Sequence, residues 1–103
     1  MATITVKTHS TVYIAGPMTG RPEFNFPAFH EAAKRLRAQG HTVVSPAELY
    51  KHTDQPWDFY MRGSLKAMLD CDTIYLLQGW RNSRGAKIEA MLAGELAFSL
   101  WFQ

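Results

Sequence analysis

Thr73-Ile-Tyr-Leu-Leu77, then Gln78-Gly79, then Trp80-Arg-Asn-Ser-Arg-Gly-Ala-Lys-Ile-Glu89 is the stretch that decides the fold. An apolar run of strand length passes through a short turn into a helix, for which Asn82 or Ser83 is the expected N-cap and which is predicted to continue through Ala97. At about 100° per residue, Arg84, Met91 and Glu95 cluster on one side with Lys87 beside them, and that side reads as solvent-facing. Glu89 lies roughly 140° around from Arg84 by the same geometry, in register with Ala86, Leu92, Ala93 and Leu96. A helix packs its apolar stripe against something, so Glu89 is predicted to point inward, toward a sheet or a cleft. A carboxylate there is costly unless it is paired, and such groups are candidates for chemistry. Glu95 is the internal contrast, since the same helix sends it outward.

Working back toward the N-terminus, the same alternation recurs. Thr11–Ala15 is a short β-branched and apolar run stopped by Gly16-Pro17, and the loop Gly16–Glu23 carries two glycines and two prolines. Asn25 or Phe26 is expected to cap a helix with Pro27 in its first turn. Phe26, Phe29, Ala33 and Leu36 repeat at helical spacing, and Gly40 ends the helix as its C′ residue. His41–Ser45 is a second strand, Ala47–Gln55 a polar segment expected to be a mobile loop, and Trp57–Leu69 a helix with Tyr60, Leu65, Met68 and Leu69 as its main apolar positions. The order β-α-β-α-β-α in so short a chain points to a parallel sheet with helices on both faces. Phe98–Gln103 reads as a short fourth strand in preference to further helix. The expected architecture is therefore a small doubly wound, flavodoxin- or Rossmann-like sheet of about four strands in the order 2-1-3-4. It occupies residues 1–103 as one domain, with 1–10 a loosely ordered N-terminal segment.

Composition bounds the function. The 103 residues suffice to bury roughly two-thirds of the unfolded surface, and 47% hydrophobic against 19% charged residues marks a globular chain rather than a disordered one. The net charge of +2 comes from 11 basic and 9 acidic residues, with the basic ones scattered, so no DNA or RNA footprint is present. Cys71 is alone, which argues against a disulfide framework and for a reducing, cytoplasmic setting. No segment approaches the ~18 apolar residues that span a membrane, and Met1–Ser10 lacks the apolar core of a secretory signal. His9, His30, His41 and His52 show no metal-ligand spacing, so neither a metal nor a cofactor is expected.

In open α/β sheets ligands bind beyond the carboxyl ends of the strands. That edge collects the Gly16–Glu23 loop, the Ser45–Trp57 region and the Gln78–Gly85 loop. Ser83-Arg-Gly85 offers helix N-terminal N–H groups, a hydroxyl and the positive end of the helix dipole, which suit an anion; ordinary capping by Ser83 is the alternative. Gly16-Pro-Met-Thr-Gly20 lacks both the Walker ending and the GxGxxG spacing, leaving a structural turn as the default. Tyr13 sits mid-strand with Val12 and Ile14 facing the other way, and is either a core tyrosine or a site residue. Trp80 and Trp57 lie where an indole stacks on a base or simply packs at an element's end.

Three blocks in order, Tyr13-Ile-Ala-Gly-Pro-Met18, Leu69-Asp-Cys-Asp-Thr-Ile74 and Ser83-x-Gly-x-x-x-Glu89, resemble the nucleoside 2-deoxyribosyltransferase-like superfamily. More closely, the chain is similar to a small uncharacterised family common in phage genomes. The resemblance spans roughly Val12 to Ala97. It implies cleavage or transfer of the N-glycosidic bond of a nucleoside or nucleoside 5′-monophosphate through a covalent glycosyl-glutamate. Glu89 would be the nucleophile and Tyr13 the residue placing it or the sugar. Ser83 and Gly85 would line the sugar or phosphate pocket, Gly16 would let the backbone approach the base, and Pro17, Met18 and Trp80 would complete the binding site. Superfamily members also complete their pockets by self-association, so a homo-oligomer is expected.

The chain departs from the superfamily pattern in two places. The aspartate usually found near the leaving base falls on Ser64, which cannot act as a general acid; Asp58 and Asp72 are the possible substitutes, although Asp72 fits better as a turn residue at the far end of strand three. Thr19 stands where nucleotide-cleaving relatives carry a basic residue, with Arg21 beyond it. Two other readings stand beside the enzyme: a non-catalytic nucleotide-binding or sensing module on the same fold, and a partner-binding protein.

Overall fold

The structure, a computed structural model, describes residues 9–49 and 54–103. The N-terminal segment expected to be loosely ordered therefore lies outside the described residues except for His9 and Ser10. The part of the expected mobile loop at 50–53 lies outside them too.

Four parallel strands, β1 (Thr11–Ala15), β2 (Thr42–Val44), β3 (Thr73–Leu76) and β4 (Ser99–Phe102), form one sheet in the order β2-β1-β3-β4. Helix α1 (Phe26–Ala38) joins β1 to β2, a short α2 (Pro46–Leu49) and then α3 (Trp57–Met68) lead to β3, and α4 (Arg84–Glu95) leads to β4. This is the doubly wound order expected from the alternation of elements. β1 is central, with Val12 opposite both Val43 and Thr73, and Tyr13 opposite Val44 and Ile74.

The period of two along β1 divides the interior. Val12 and Ile14 join Phe29, Ala32, Ala33 and Leu36 of α1, with Ala47 of α2, on one face. Tyr13 and Ala15 face the other way, among Met68 of α3, Ala86 and Ala93 of α4, and Ile74 and Leu76 of β3. Phe29, Ile14, Ile74 and Met68 are fully buried, and each such side chain contributes roughly 1.5–3 kcal/mol of transfer free energy.

Helix α1 ends as expected at Gly40, where φ is +95° and the N–H groups of Gly40 and His41 reach the carbonyls of Arg37 and Leu36. Its start differs from the simple cap expected. Asn25 occupies the cap position, yet its side-chain amide donates to the Pro17 carbonyl at 2.9 Å instead of receiving a helix N–H. Glu23, Phe24 and Asn25 all have positive φ (53°, 53° and 61°), a left-handed turn that costs roughly 1–2 kcal/mol per non-glycine residue.

Two helix ends correct the sequence reading. Leu69 was expected on the apolar face of α3, but the helix stops at Met68 and Leu69 is 58% exposed. Leu96 was expected on the inward stripe of a helix running through Ala97, but α4 stops at Glu95 and Leu96 is 50% exposed. There Ala97 takes φ +61°, and Ala97 and Phe98 donate to the carbonyls of Gly94 and Ala93. That is the hydrogen-bond pattern of a glycine-terminated helix, formed with alanine in the glycine's place. The turn releases the chain into β4, which pairs with β3 through Tyr75 and Trp101. Among the described residues no helix is long and apolar enough to cross a membrane.

Candidate active site

A cavity of about 310 Å³ opens beyond the carboxyl ends of β1 and β2, between α3 and the start of α4. The loop after β1 contributes Gly16, Met18, Thr19 and Phe24, and α1 contributes Phe26 and Phe29. Pro46 comes from the start of α2, just past β2. Gln55, Trp57, Tyr60, Met61 and Ser64 form the wall on the α3 side, while Ser83, Gly85, Ala86 and Glu89 form the wall at the start of α4. Tyr13 lies at its base, on β1.

Glu89 is the only carboxylic acid among the described residues lining this cavity. It is 6% exposed, and its Oε2 accepts a hydrogen bond from the hydroxyl of Tyr13, which is fully buried. Two local rules bring the pair together. The helical period turns Glu89 inward on α4, and the strand period turns Tyr13 toward the same layer on β1. Burial pushes the Glu89 carboxyl up to about 7, against the Tyr13 hydrogen bond, which lowers it. At neutral pH the group thus sits close to its own midpoint, able to act as an anion or to hold a proton.

Ser83 is the N-cap of α4, its Oγ accepting the Ala86 N–H at 3.2 Å. The capping reading thus describes what this side chain does, while its position keeps it on the cavity wall. Gly85 brings α4 close to α3, since a Cβ there would stand 3.3 Å from the Met61 sulfur and 3.9 Å from the Trp57 ring. The Arg84 guanidinium covers a face of Trp57 at 3.9 Å from the ring centroid. Gly16 lines the cavity, but its need for glycine comes from packing: a Cβ would fall 2.7 Å from Leu77 Cβ.

Of the other expected binding residues, Met18 lines the cavity and Pro17 does not; Pro17 is buried behind it, with its carbonyl engaged by Asn25. Trp80 is also away from the cavity wall. It sits in a 3-10 turn (Trp80–Asn82) and packs toward Phe102 of β4 at 6.3 Å between ring centroids, with the Arg81 guanidinium 4.9 Å above its ring. β4 lies beside β3 and gives that indole a neighbour of its own.

Neither possible substitute acid reaches the cavity. Asp72 sits at the opposite end of the sheet, where its carboxylate accepts from the Thr11 N–H and the Thr73 hydroxyl. Asp58 is exposed and faces Arg62 one helical turn on. Among the described residues no three His, Cys, Asp or Glu side chains converge as metal ligands.

The family model described as "Domain of unknown function (DUF4406)" matches residues 10–102. The chain belongs to the DUF4406 family. The solved structure of a 2-deoxyribosyltransferase from the psychrotolerant bacterium Bacillus psychrosaccharolyticus superposes on this DUF4406 domain with a TM-score of 0.69 and 21% identity, covering 89% of this chain and 70% of that one. At that identity the likeness establishes a shared fold. No curated protein matches the sequence.

The sequence reading of this DUF4406 domain placed Trp57 and Ser64 near the base but did not assign Tyr60 and Met61 to the site. Trp57, Tyr60, Met61 and Ser64 recur at i, i+3, i+4 and i+7 on α3 and face the cavity together. The signal was available as a helical stripe, obscured by Leu65 and Leu69 on the neighbouring face.

Proposed function

We propose that this protein transfers or hydrolyses the 2-deoxyribosyl group of a nucleoside or nucleoside 5′-monophosphate, with Glu89 as the nucleophile. The observation that carries the reading is the buried Glu89 carboxylate, held by Tyr13 and facing an apolar cavity with aromatic rings on its walls, at the carboxyl edge of the sheet. In this reading ionised Glu89 attacks the anomeric carbon as the base departs, giving a covalent glycosyl-enzyme that water or a second base resolves. The Tyr13 hydroxyl holds the attacking carboxylate in place and favours its anionic form. Phe24, Phe26, Trp57 and Tyr60 supply rings against which a planar base packs. Ser83 and Gly85 line the sugar or phosphate end, Gly16 and Met18 border the base, and Pro17 and Trp80 support the loops from behind. The shared fold with a 2-deoxyribosyltransferase supports the reaction class. The reading further takes the protein as a cytoplasmic homo-oligomer, which light scattering at micromolar concentration tests.

The direct test is chromatography of free base released from a panel of 2-deoxynucleosides and their 5′-monophosphates, beside Glu89→Gln. The expected result is release by the wild type that the variant abolishes, with a deoxyribosyl adduct visible by intact mass on the wild type. A second reading, a non-catalytic nucleotide-binding module, draws on the absence of a second carboxylate among the described cavity residues. It predicts ligand-dependent thermal stabilisation without any release of base.

A further inference from the structure

Breaking an N-glycosidic bond requires a group that delivers a proton to the departing base, and a carboxyl group commonly fills that role. Here the one carboxyl group among the described lining residues is committed to the attack. On the facing wall, α3 presents Tyr60 one turn before Ser64. A phenol is a much stronger acid than the aliphatic hydroxyl of serine. The Tyr60 oxygen also accepts the backbone N–H of Gln55 at 3.1 Å. That bond fixes the position of the phenol oxygen on the cavity wall. The ring meets Phe59 edge to face, at 5.5 Å and 87°.

We propose that Tyr60 is the catalytic acid, donating its hydroxyl proton to the nucleobase nitrogen as the glycosidic bond breaks; this rests on the glycosyl-transfer reading. An oxygen lone pair of Glu89 forms the new bond to the anomeric carbon. The C–N bond breaks with its electron pair going to the base nitrogen, which takes the Tyr60 proton. In the second half-reaction water attacks the anomeric carbon, the Glu89 carboxylate leaves, and the water's proton returns to the Tyr60 phenolate. When a second base is the acceptor, its ring N–H supplies that proton. Atoms and charge then balance over the cycle with no further reactant.

The test compares Tyr60→Phe with the wild type on two substrates, a 2′-deoxynucleoside and p-nitrophenyl 2-deoxyriboside, whose leaving group departs without a proton. Loss of acid catalysis is expected to lower kcat on the nucleoside by roughly a hundredfold or more, while turnover of the aryl substrate falls far less. Retained aryl turnover also shows that the variant is folded and that Glu89 still works. Equal losses on both substrates in a variant that melts like the wild type, or no loss on either, overturn the assignment. If the variant is inactive on both and melts early, Tyr60→Trp, which keeps a half-buried ring without a phenol, repeats the comparison under the same criterion. A wild type that cleaves the aryl substrate but no nucleoside leaves Glu89 as the nucleophile and overturns Tyr60 as the acid. Failure of the wild type on both overturns the glycosyl-transfer reading itself.

Discussion

Replacing Glu89 with glutamine should make the protein more stable above neutral pH, by an amount set by how strongly burial opposes ionisation. The carboxyl titrates at about 7 in the folded state against 4.5 ordinarily. The folded protein therefore binds this proton more tightly than the unfolded chain does, and stability falls as pH rises from 4.5 through about 7. At about 1.4 kcal/mol per pH unit across that interval, the loss comes to about 3 kcal/mol, complete near pH 8. Glutamine has no charge to bury and still offers an oxygen to the Tyr13 hydroxyl. The two proteins should therefore differ little below pH 4.5 and diverge as the pH rises. For a chain of this size the gap corresponds to roughly 12–24 °C in Tm at pH 8. Circular-dichroism melts of both proteins in parallel from pH 4 to 9 provide the assay. The quantity to plot is the difference, because titrations common to both, such as that of Glu48 beside Arg37, cancel. A difference that stays flat from pH 4.5 to 8 would refute the reasoning. So would a wild type that gains on the variant as pH rises, since that places the folded carboxyl below its ordinary value.

Three further outcomes follow from the same geometry. The reaction needs ionised Glu89, so kcat/KM should fall about tenfold per pH unit below an acid limb near 7; Tyr13→Phe removes the hydrogen bond that favours the anion, and its pH profile should show that limb displaced upward. Gly16→Ala drives a Cβ to 2.7 Å from Leu77 Cβ, and should cost about 1–3 kcal/mol by urea unfolding as the end of β1 is forced from its neighbour. Ala97→Gly relieves a left-handed alanine at φ +61° and should stabilise the fold by roughly 0.5–1 kcal/mol, the strain removed less the freedom glycine adds to the unfolded chain; unchanged denaturation midpoints would show that the turn is not strained.

Much of the fold was legible because its rules are local. The β-branched run Thr11–Ala15, the Ser83 cap and the Gly40 stop each act over a few residues, and the alternation of elements leaves few ways to close a parallel sheet. Local period alone also separated Glu89 from Glu95: the first is buried and the second exposed. The end of α4 was not legible, because Ala97 carries no glycine signal. Its left-handed turn is set by the pull of β4 onto β3.

What the sequence by itself determined is the direction each of these side chains takes from its own element. Glu89 faces the sheet because a helix repeats every 3.6 residues, and Tyr13 opposes Val12 and Ile14 because a strand repeats every two. What those directions meet was decided only by the tertiary structure. Tyr13 lies 76 residues from Glu89, and the parallel pairing of β1 with β3 brings their hydroxyl and carboxylate into contact. The packing of α3 against α4 turns Trp57, Tyr60 and Met61 into the wall opposite Glu89, whereas β4 beside β3 gives Trp80 a partner away from the cavity. Most decisively, the raised carboxyl belongs to no stretch of sequence. It arises from desolvation, a property of everything packed around Glu89 at once.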